Sequence, residues 1–354
     1  MHRLPVTRHS IHKFRTQAQN QLIPLMPGLL ISLTIVFAAH YLSSQHGSPL
    51  ILTTVLMGMA FNNLSAHNEF RPGLEYCTRS LLRVGVALLG IRITLEHITE
   101  YGYQPLILVM VCTSATIGFS LVVGRWLGAD RFMALLTGVA TAICGVSAAM
   151  ALLALQSAKR PSDHQVAGTL VAITGISTVT MLLYPALLTH LNLSAETAGQ
   201  FLGTSIHDVA QAIGAGEMLS PQAADATIYT KMLRVSLLLP VLLLVNLASS
   251  RYWSQSTSTA PRVPGFLILF VLLMLLNNAV SLPAIVQAAI SSLSQCLLLM
   301  AMAALGIRTN LLQLFSVDRR TLALVLLNTV FIALLAVAVL ATTGGLLSAV
   351  FRSD

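Results

Sequence analysis

Thr204-Ser-Ile-His-Asp-Val-Ala-Gln-Ala-Ile-Gly-Ala215 lies in the middle of an apolar chain, and its polar residues need an explanation. Thr204, His207, Asp208 and Gln211 fall at i, i+3, i+4 and i+7, so one helix through the segment puts them on one face. Asp208 is the only carboxylate that falls deep inside an expected span. An ionisable group at that depth costs roughly 2.5–3.5 kcal/mol on insertion scales, so it marks a functional site by default.

The surrounding sequence explains why this depth is a membrane. Charged residues make up 9% of the chain and hydrophobic residues 55%, where a soluble domain carries about 25% charge. The mean hydropathy is +0.79. No Asp, Glu, Lys or Arg occurs in 16–68, 132–158, 263–307 or 321–351. A span needs about 20 apolar residues, so each run holds one or two. The chain therefore reads as an all-α polytopic membrane protein; a β-barrel would show short alternating strands.

Eleven spans are expected, at 22–44, 49–66, 76–96, 104–127, 132–157, 164–190, 197–218, 226–249, 263–281, 284–307 and 321–350. Turn signals such as Gly47-Ser-Pro49 and Arg71-Pro-Gly73 separate them. Residues 1–21 read as a basic cytoplasmic extension, and 249–262 is a Ser/Thr-rich connection. With the N-terminus inside, inner segments hold Arg3, Arg8, Lys13, Arg15, Arg71, Arg125, Arg131, Arg251, Arg262, Arg308, Arg319 and Arg320. Outer segments hold Lys159, Arg160 and Arg352, so the positive-inside rule favours N-in. Lys159-Arg160 is the misfit, and a re-entrant fifth segment would remove it. The net charge of +8 sits in loops without interleaved aromatics, which argues against nucleic acid. Cys77, Cys112, Cys144 and Cys296 show no metal spacing, and no cofactor or nucleotide motif is evident.

A weak internal repeat organises the spans. Leu82-Arg83-Val84 matches Leu233-Arg234-Val235, and Cys144 with Ala149-Met-Ala151 matches Cys296 with Ala301-Met-Ala303, at offsets of 151 and 152. A leading helix (22–48) would then precede two five-helix units, 49–195 and 196–354. Five is odd, so the units have opposite orientation, as inverted-repeat transporters do. Leu89-Gly-Ile-Arg92 also recurs as Leu305-Gly-Ile-Arg308, but that offset leaves later helices without counterparts.

In the fifth segment Gly138, Thr141, Gly145 and Ser147 surround Cys144. They suit a broken helix, with a second break expected in the tenth span, whose exposed N–H groups face an anion; close packing through small residues competes with that reading. Arg83 and Arg234 lie about two turns into the third and eighth spans with no acid in either span to pair them. Two such cations would grip an oxyanion bidentately. Arg79 and Lys231, on the same faces, read as snorkelling residues, and Arg92 and Arg308 as end anchors. His207 and Asp208 are the candidates for proton coupling, against the alternative of an interhelical staple in which Asp208 pairs an arginine. Asn62 and Gln211 are candidate cavity residues, with a helix-end cap as the competing role for Asn62. Asn277-Asn278, Met300 and Met302 read as packing.

Leu82-Arg83-x-Gly85, Ile143-Cys-Gly145, His207-Asp-Val-Ala-Gln211, Lys231-Met-Leu-Arg-Val235 and Ala301-Met-Ala-Ala-Leu-Gly306 together resemble the YeiH-type sulfate exporter family of bacteria, over nearly the whole chain. Where that family carries glutamate this chain has Asp208, which keeps the acid and shortens its reach by one methylene. The resemblance implies a fold similar to the cation:proton antiporter and anion transporter class, with two inverted five-helix units and crossing broken helices. The expected function is secondary transport of a small anion, a sulfur oxyanion such as sulfate or sulfite, across the bacterial inner membrane. The expected partners are the anion and the bilayer, with homodimerisation left open. A cation:proton antiporter is the first alternative, and the charge balance opposes it. An intramembrane serine hydrolase is the second: Gly145-Val-Ser147 with His207 resembles a serine–histidine dyad, though Gly-x-Ser is common by chance.

Overall fold

The computed structural model describes residues 23–94, 96, 99, 101–155, 162–191, 193–252, 265–280 and 282–342. The extension 1–21, Lys159, Arg160, Arg262 and Arg352 lie outside the described residues. In chain order the α-helices are α1 (Met26–His46), α2 (Leu50–Ala60), α3 (Arg71–Tyr76), α4 (Leu82–Leu88), α5 (Gln104–Trp126), α6 (Arg131–Ala142), α7 (Val146–Ala154) and α8 (Asp163–Leu188). They continue as α9 (Ala195–Ser205), α10 (Val209–Leu219), α11 (Pro221–Ser236), α12 (Leu238–Tyr252), α13 (Gly265–Ala279), α14 (Ala284–Arg308) and α15 (Arg319–Thr342). Among the described residues six helical stretches are long and apolar enough to cross a membrane: Ile23–His46, Gln104–Trp126, Asp163–Leu188, Pro221–Leu247, Ala284–Arg308 and Arg319–Thr342. The count of eleven full spans is therefore not reproduced.

The chain divides into two compact units. The first comprises 1–85 and 295–309. In it α1, α3 and the end of α14 share a core of Ile35, Leu74, Cys77, Ala303 and Ile307. Gly58 and Gly306 let α2 and α14 touch backbone to backbone: a β-carbon on Gly58 would lie 2.5 Å from the Ala303 carbonyl oxygen. A π-helical stretch, Cys77–Leu81, joins α3 to α4.

The second unit comprises 86–294 and 310–354. Two helical hairpins enter it from opposite ends. The first is α6–α7. Asp130 and Met133 at the start of α6 line one cavity, of about 550 Å³, together with His164, Gln165 and Gly168 at the start of α8. The chain has therefore returned to the end it left. Only six residues lie between Leu155 and Ser162, a reach of about 25 Å at full extension, which is short of the roughly 30 Å hydrocarbon core. The fifth segment accordingly folds as two helices with a break at Ile143–Gly145 and not as one continuous helix.

The second hairpin is α9–α10, and both arms lie on α11. Descending, Gly199 meets Ala223 and Thr227, and Gly203 meets Thr227, Thr230 and Lys231. Returning, Gly216 meets Ala224 and Thr227. The arms thus begin and end beside the start of α11. Each is eleven residues, about 16 Å at 1.5 Å per residue, or half a membrane. The opening stretch is accordingly not one helix. It breaks at Ile206 and Asp208, whose backbones are extended, with ψ of 136° and 144°. Thr204 and Gln211 therefore lie on different helices. The expected break in the tenth span is absent, because α14 runs from Ala284 to Arg308 uninterrupted. The broken pair is the fifth and seventh segments.

Candidate functional site

The hairpin tips meet. Gly145 ends the first break with φ +63° and ψ −129°, a region open to glycine and strained for other residues. A β-carbon there would lie 3.7 Å from the Asp208 nitrogen and from the His207 carbonyl carbon. At the second tip Asp208 caps α10: its carboxylate accepts from the Ala210 N–H at 2.9 Å, and its own N–H donates to Ser177 Oγ on α8. The Asp208-Val-Ala-Gln211 spacing is the sequence pattern of a helix start. That signal was present, and the 3.6-residue periodicity of the polar residues masked it.

Breaking two helices leaves carbonyl ends that hydrocarbon cannot satisfy. Lys231 and Arg234, one turn apart on α11, fill that need. Both are fully buried. Arg234 Nε donates to Ala142 O at 2.5 Å, and Nη2 donates to Thr141 O, at the end of α6. Its Nη1 donates to Ile206 O at 2.8 Å and Gly203 O at 3.4 Å, at the end of α9. Lys231 Nζ donates to Ile206 O at 2.5 Å and His207 O at 2.8 Å. Cations at helix C-termini also complement the macrodipole. Among the described residues neither forms an ion pair with an acid. Lys231 is thus a tip-binding residue and not a snorkelling one.

His207 joins both tips to α15. Its Nδ1 lies 3.1 Å from Thr141 O, and its Nε2 lies 2.9 Å from Thr329 Oγ1. Both ring nitrogens are engaged, by Thr141 O and Thr329 Oγ1, and not by Ser147, the partner that the serine hydrolase alternative needs. Gln211 is buried and donates to Thr178 Oγ1 at 2.8 Å. Cys144 is buried at the first tip, whereas Ser147, in the first turn of α7, is exposed. Gly145, the N-cap of α7, brings no side-chain cap, and the Cys144 thiol lies against the Ala148 N–H in the first turn.

The other expected residues sit elsewhere. Arg83 and Arg79 belong to the first unit, are exposed, and make no hydrogen bond or ion pair among the described residues. The structure therefore does not present Arg83 and Arg234 as an equivalent pair: the Arg234 guanidinium is occupied by backbone. Asn62 donates to Ile307 O at 2.7 Å and Thr309 O at 3.2 Å, the helix-end cap that competed with a cavity role. Arg92 is held by Glu217 at 3.4 Å and Asp225 at 2.8 Å and is no lipid anchor. Arg308 donates to Thr78 Oγ1 at 2.8 Å and lies 3.8 Å from Glu75. Sequence reasoning placed Thr141 at the first break and missed Ser177, Thr178 and Thr329 as tip contacts. Asn328-Thr329 is a polar pair inside an apolar run, and that was its only signal.

These features define a multi-pass helical membrane protein with two broken segments meeting in the second unit. A family profile described as "Conserved hypothetical protein 698" matches residues 27–325. The chain is similar to a UPF0324 membrane protein of Rhizobium meliloti (strain 1021), 38% identical over 89% of this chain and 91% of the relative. A UPF0324 membrane protein of Chlorobaculum tepidum is 37% identical, over 92% of this chain and 94% of its own. One of Paracoccus denitrificans named TauZ is 39% identical, over 87% and 92%. The chain belongs to this UPF0324 membrane protein family, which is the YeiH-type family of the resemblance. No solved structure matches it.

Proposed function

We propose that the protein is a secondary transporter of a small anion, a sulfur oxyanion such as sulfate or sulfite. One observation carries this reading: two hairpins from opposite ends of one unit meet tip to tip over buried Lys231 and Arg234. Irregular backbone at membrane depth is tolerated where it is buried in protein or lines a polar cavity, and transporters place substrate sites at such breaks. Two cations against the single carboxylate Asp208 bias the tips toward an anion. The N-terminus of α7, where Gly145 brings no side-chain cap and Ser147 is exposed, offers N–H donors and a positive dipole end. In this reading Cys144, Gly145, Ser147 and Gln211 shape the site, Arg83 draws the anion in, and Arg234 and Lys231 hold the tips and supply field. His207 and Asp208 carry the proton linkage.

The orientation proposed is N-terminus cytoplasmic in the bacterial inner membrane. Arg125, Arg131, Arg319 and Arg320 belong to the end where α6 and α8 begin, and a cytoplasmic placement of that end follows the positive-inside rule. The test is flux from proteoliposomes loaded with labelled sulfate or sulfite. Expected is anion efflux that Arg83→Ala slows. Proton-coupled sodium or potassium flux without anion dependence would establish the antiporter instead.

A further inference from the structure

The hydrogen-bond count around His207 singles out a residue on the last helix. Thr329 Oγ1 lies 2.9 Å from His207 Nε2 and 2.7 Å from Val325 O, and Thr329 is buried. A hydroxyl has one proton to give. His207 Nδ1 faces the Thr141 carbonyl oxygen, which only accepts, so Nδ1 carries a proton in every satisfied arrangement. Two arrangements remain. In the neutral ring, Nε2 accepts from the Thr329 hydroxyl, and Val325 O keeps only its own helical N–H partner. In the imidazolium, Nε2–H donates to Thr329 Oγ1, and the hydroxyl turns to Val325 O.

We propose that Thr329 is the positioning residue of His207: its hydroxyl fixes the Nδ1–H tautomer and turns from Nε2 to the Val325 carbonyl when Nε2 takes a proton. A proton at the hairpin tips is thereby read out on α15. This deepens the proton linkage proposed above and rests on it for function. The rotor needs only the geometry and not the identity of the substrate. The charged groups acting on His207 are Lys231 and Arg234 from α11, with Asp208 next to it at the tip of its own hairpin; among the described residues α15 brings the Thr329 hydroxyl and α6 the Thr141 carbonyl. The proton on Nε2 comes from the aqueous phase, and no covalent bond of the protein breaks.

The test combines spectroscopy with transport. The full-length protein is labelled with ¹⁵N-histidine and reconstituted in bilayers, and the His207 resonances are assigned by loss in His207→Gln. Expected is a neutral His207 protonated on Nδ1 with a hydrogen-bonded Nε2. Thr329→Val should move the Nε2 resonance toward that of a free ring nitrogen and shift the pH profile of transport. Thr329→Ser should restore both. A neutral wild-type ring protonated on Nε2 overturns the proposal even if Thr329→Val does not fold. So does a Thr329→Val protein with wild-type resonances and pH profile. If the resonances respond and no anion is transported, the rotor stands and the transport reading falls.

Discussion

Lys231 and Arg234 share one acceptor, and that sharing predicts how they fail together. Ile206 O takes a hydrogen bond from each. Replacing Arg234 with methionine leaves that oxygen to Lys231, leaves Thr141 O to the His207 ring at 3.1 Å, and leaves Ala142 O to Thr113 Oγ1 at 3.3 Å. Replacing Lys231 with methionine leaves Ile206 O to Arg234 but strips His207 O of its side-chain donor. Each single variant loses charge-assisted hydrogen bonds, worth about 1.5–3 kcal/mol apiece. Each also recovers several kcal/mol of buried-charge desolvation, so the single effects are moderate. Only the double variant leaves Ile206 O without either cation, at a cost of about 1–3 kcal/mol for a buried orphan acceptor. Like-charge repulsion acts in the same direction, because each single change relieves it and the double change cannot relieve it twice. Lys231→Met/Arg234→Met should therefore exceed the sum of its singles by at least about 1–3 kcal/mol. Denaturant unfolding in mixed micelles, run as a double-mutant cycle, measures the excess. Additivity within about 0.5 kcal/mol, the behaviour of independent sites, would refute the shared strut.

Three further outcomes are expected. With native cysteines replaced, Ala129→Cys and Asp163→Cys should react with an impermeant thiol reagent from one side of the membrane, and Ala195→Cys and Gln222→Cys from the other; labelling of positions 129 and 163 from opposite sides would make the first hairpin a full span. Gly145→Ala should lose about 1–3 kcal/mol through its positive φ alone, since its neighbours stand at ordinary contact distance of 3.6–3.7 Å; an unfolding midpoint matching wild type would remove the strain argument. Asp208→Asn keeps an N-cap acceptor and should hold stability while altering the pH dependence of transport, whereas Asp208→Ala should lose about 0.5–2 kcal/mol; equal stability of the two variants would dissociate Asp208 from capping.

Part of this site was legible in residue order. Gly145 beside Thr141 and Ser147 marks a break because glycine alone tolerates the backbone that the turn requires. The second break was spelled as well, by Asp208 three residues before Gln211, but polar residues at helical spacing look the same whether or not the helix continues. The repeat matched Cys144 to Cys296, yet apolar helices resemble one another easily, and the broken partner is the hairpin at Ile206–Asp208. Lys231 shows the limit most clearly. Its sequence neighbours suit a snorkelling lysine, and nothing local indicates that two carbonyls from residues 24 and 25 positions away wait for its ammonium group.

By itself the sequence determined the solvent and the secondary structure. Long uncharged runs without the short alternation of a barrel strand are helices in a bilayer, because a helix pairs its backbone groups within its own segment. The tertiary structure decided which segments cross and which turn back. A hairpin tip in hydrocarbon leaves carbonyls unpaired, and it survives only where a distant helix delivers donors to them. Here α11 delivers Lys231 and Arg234 to both tips, a pairing that composition and periodicity do not encode.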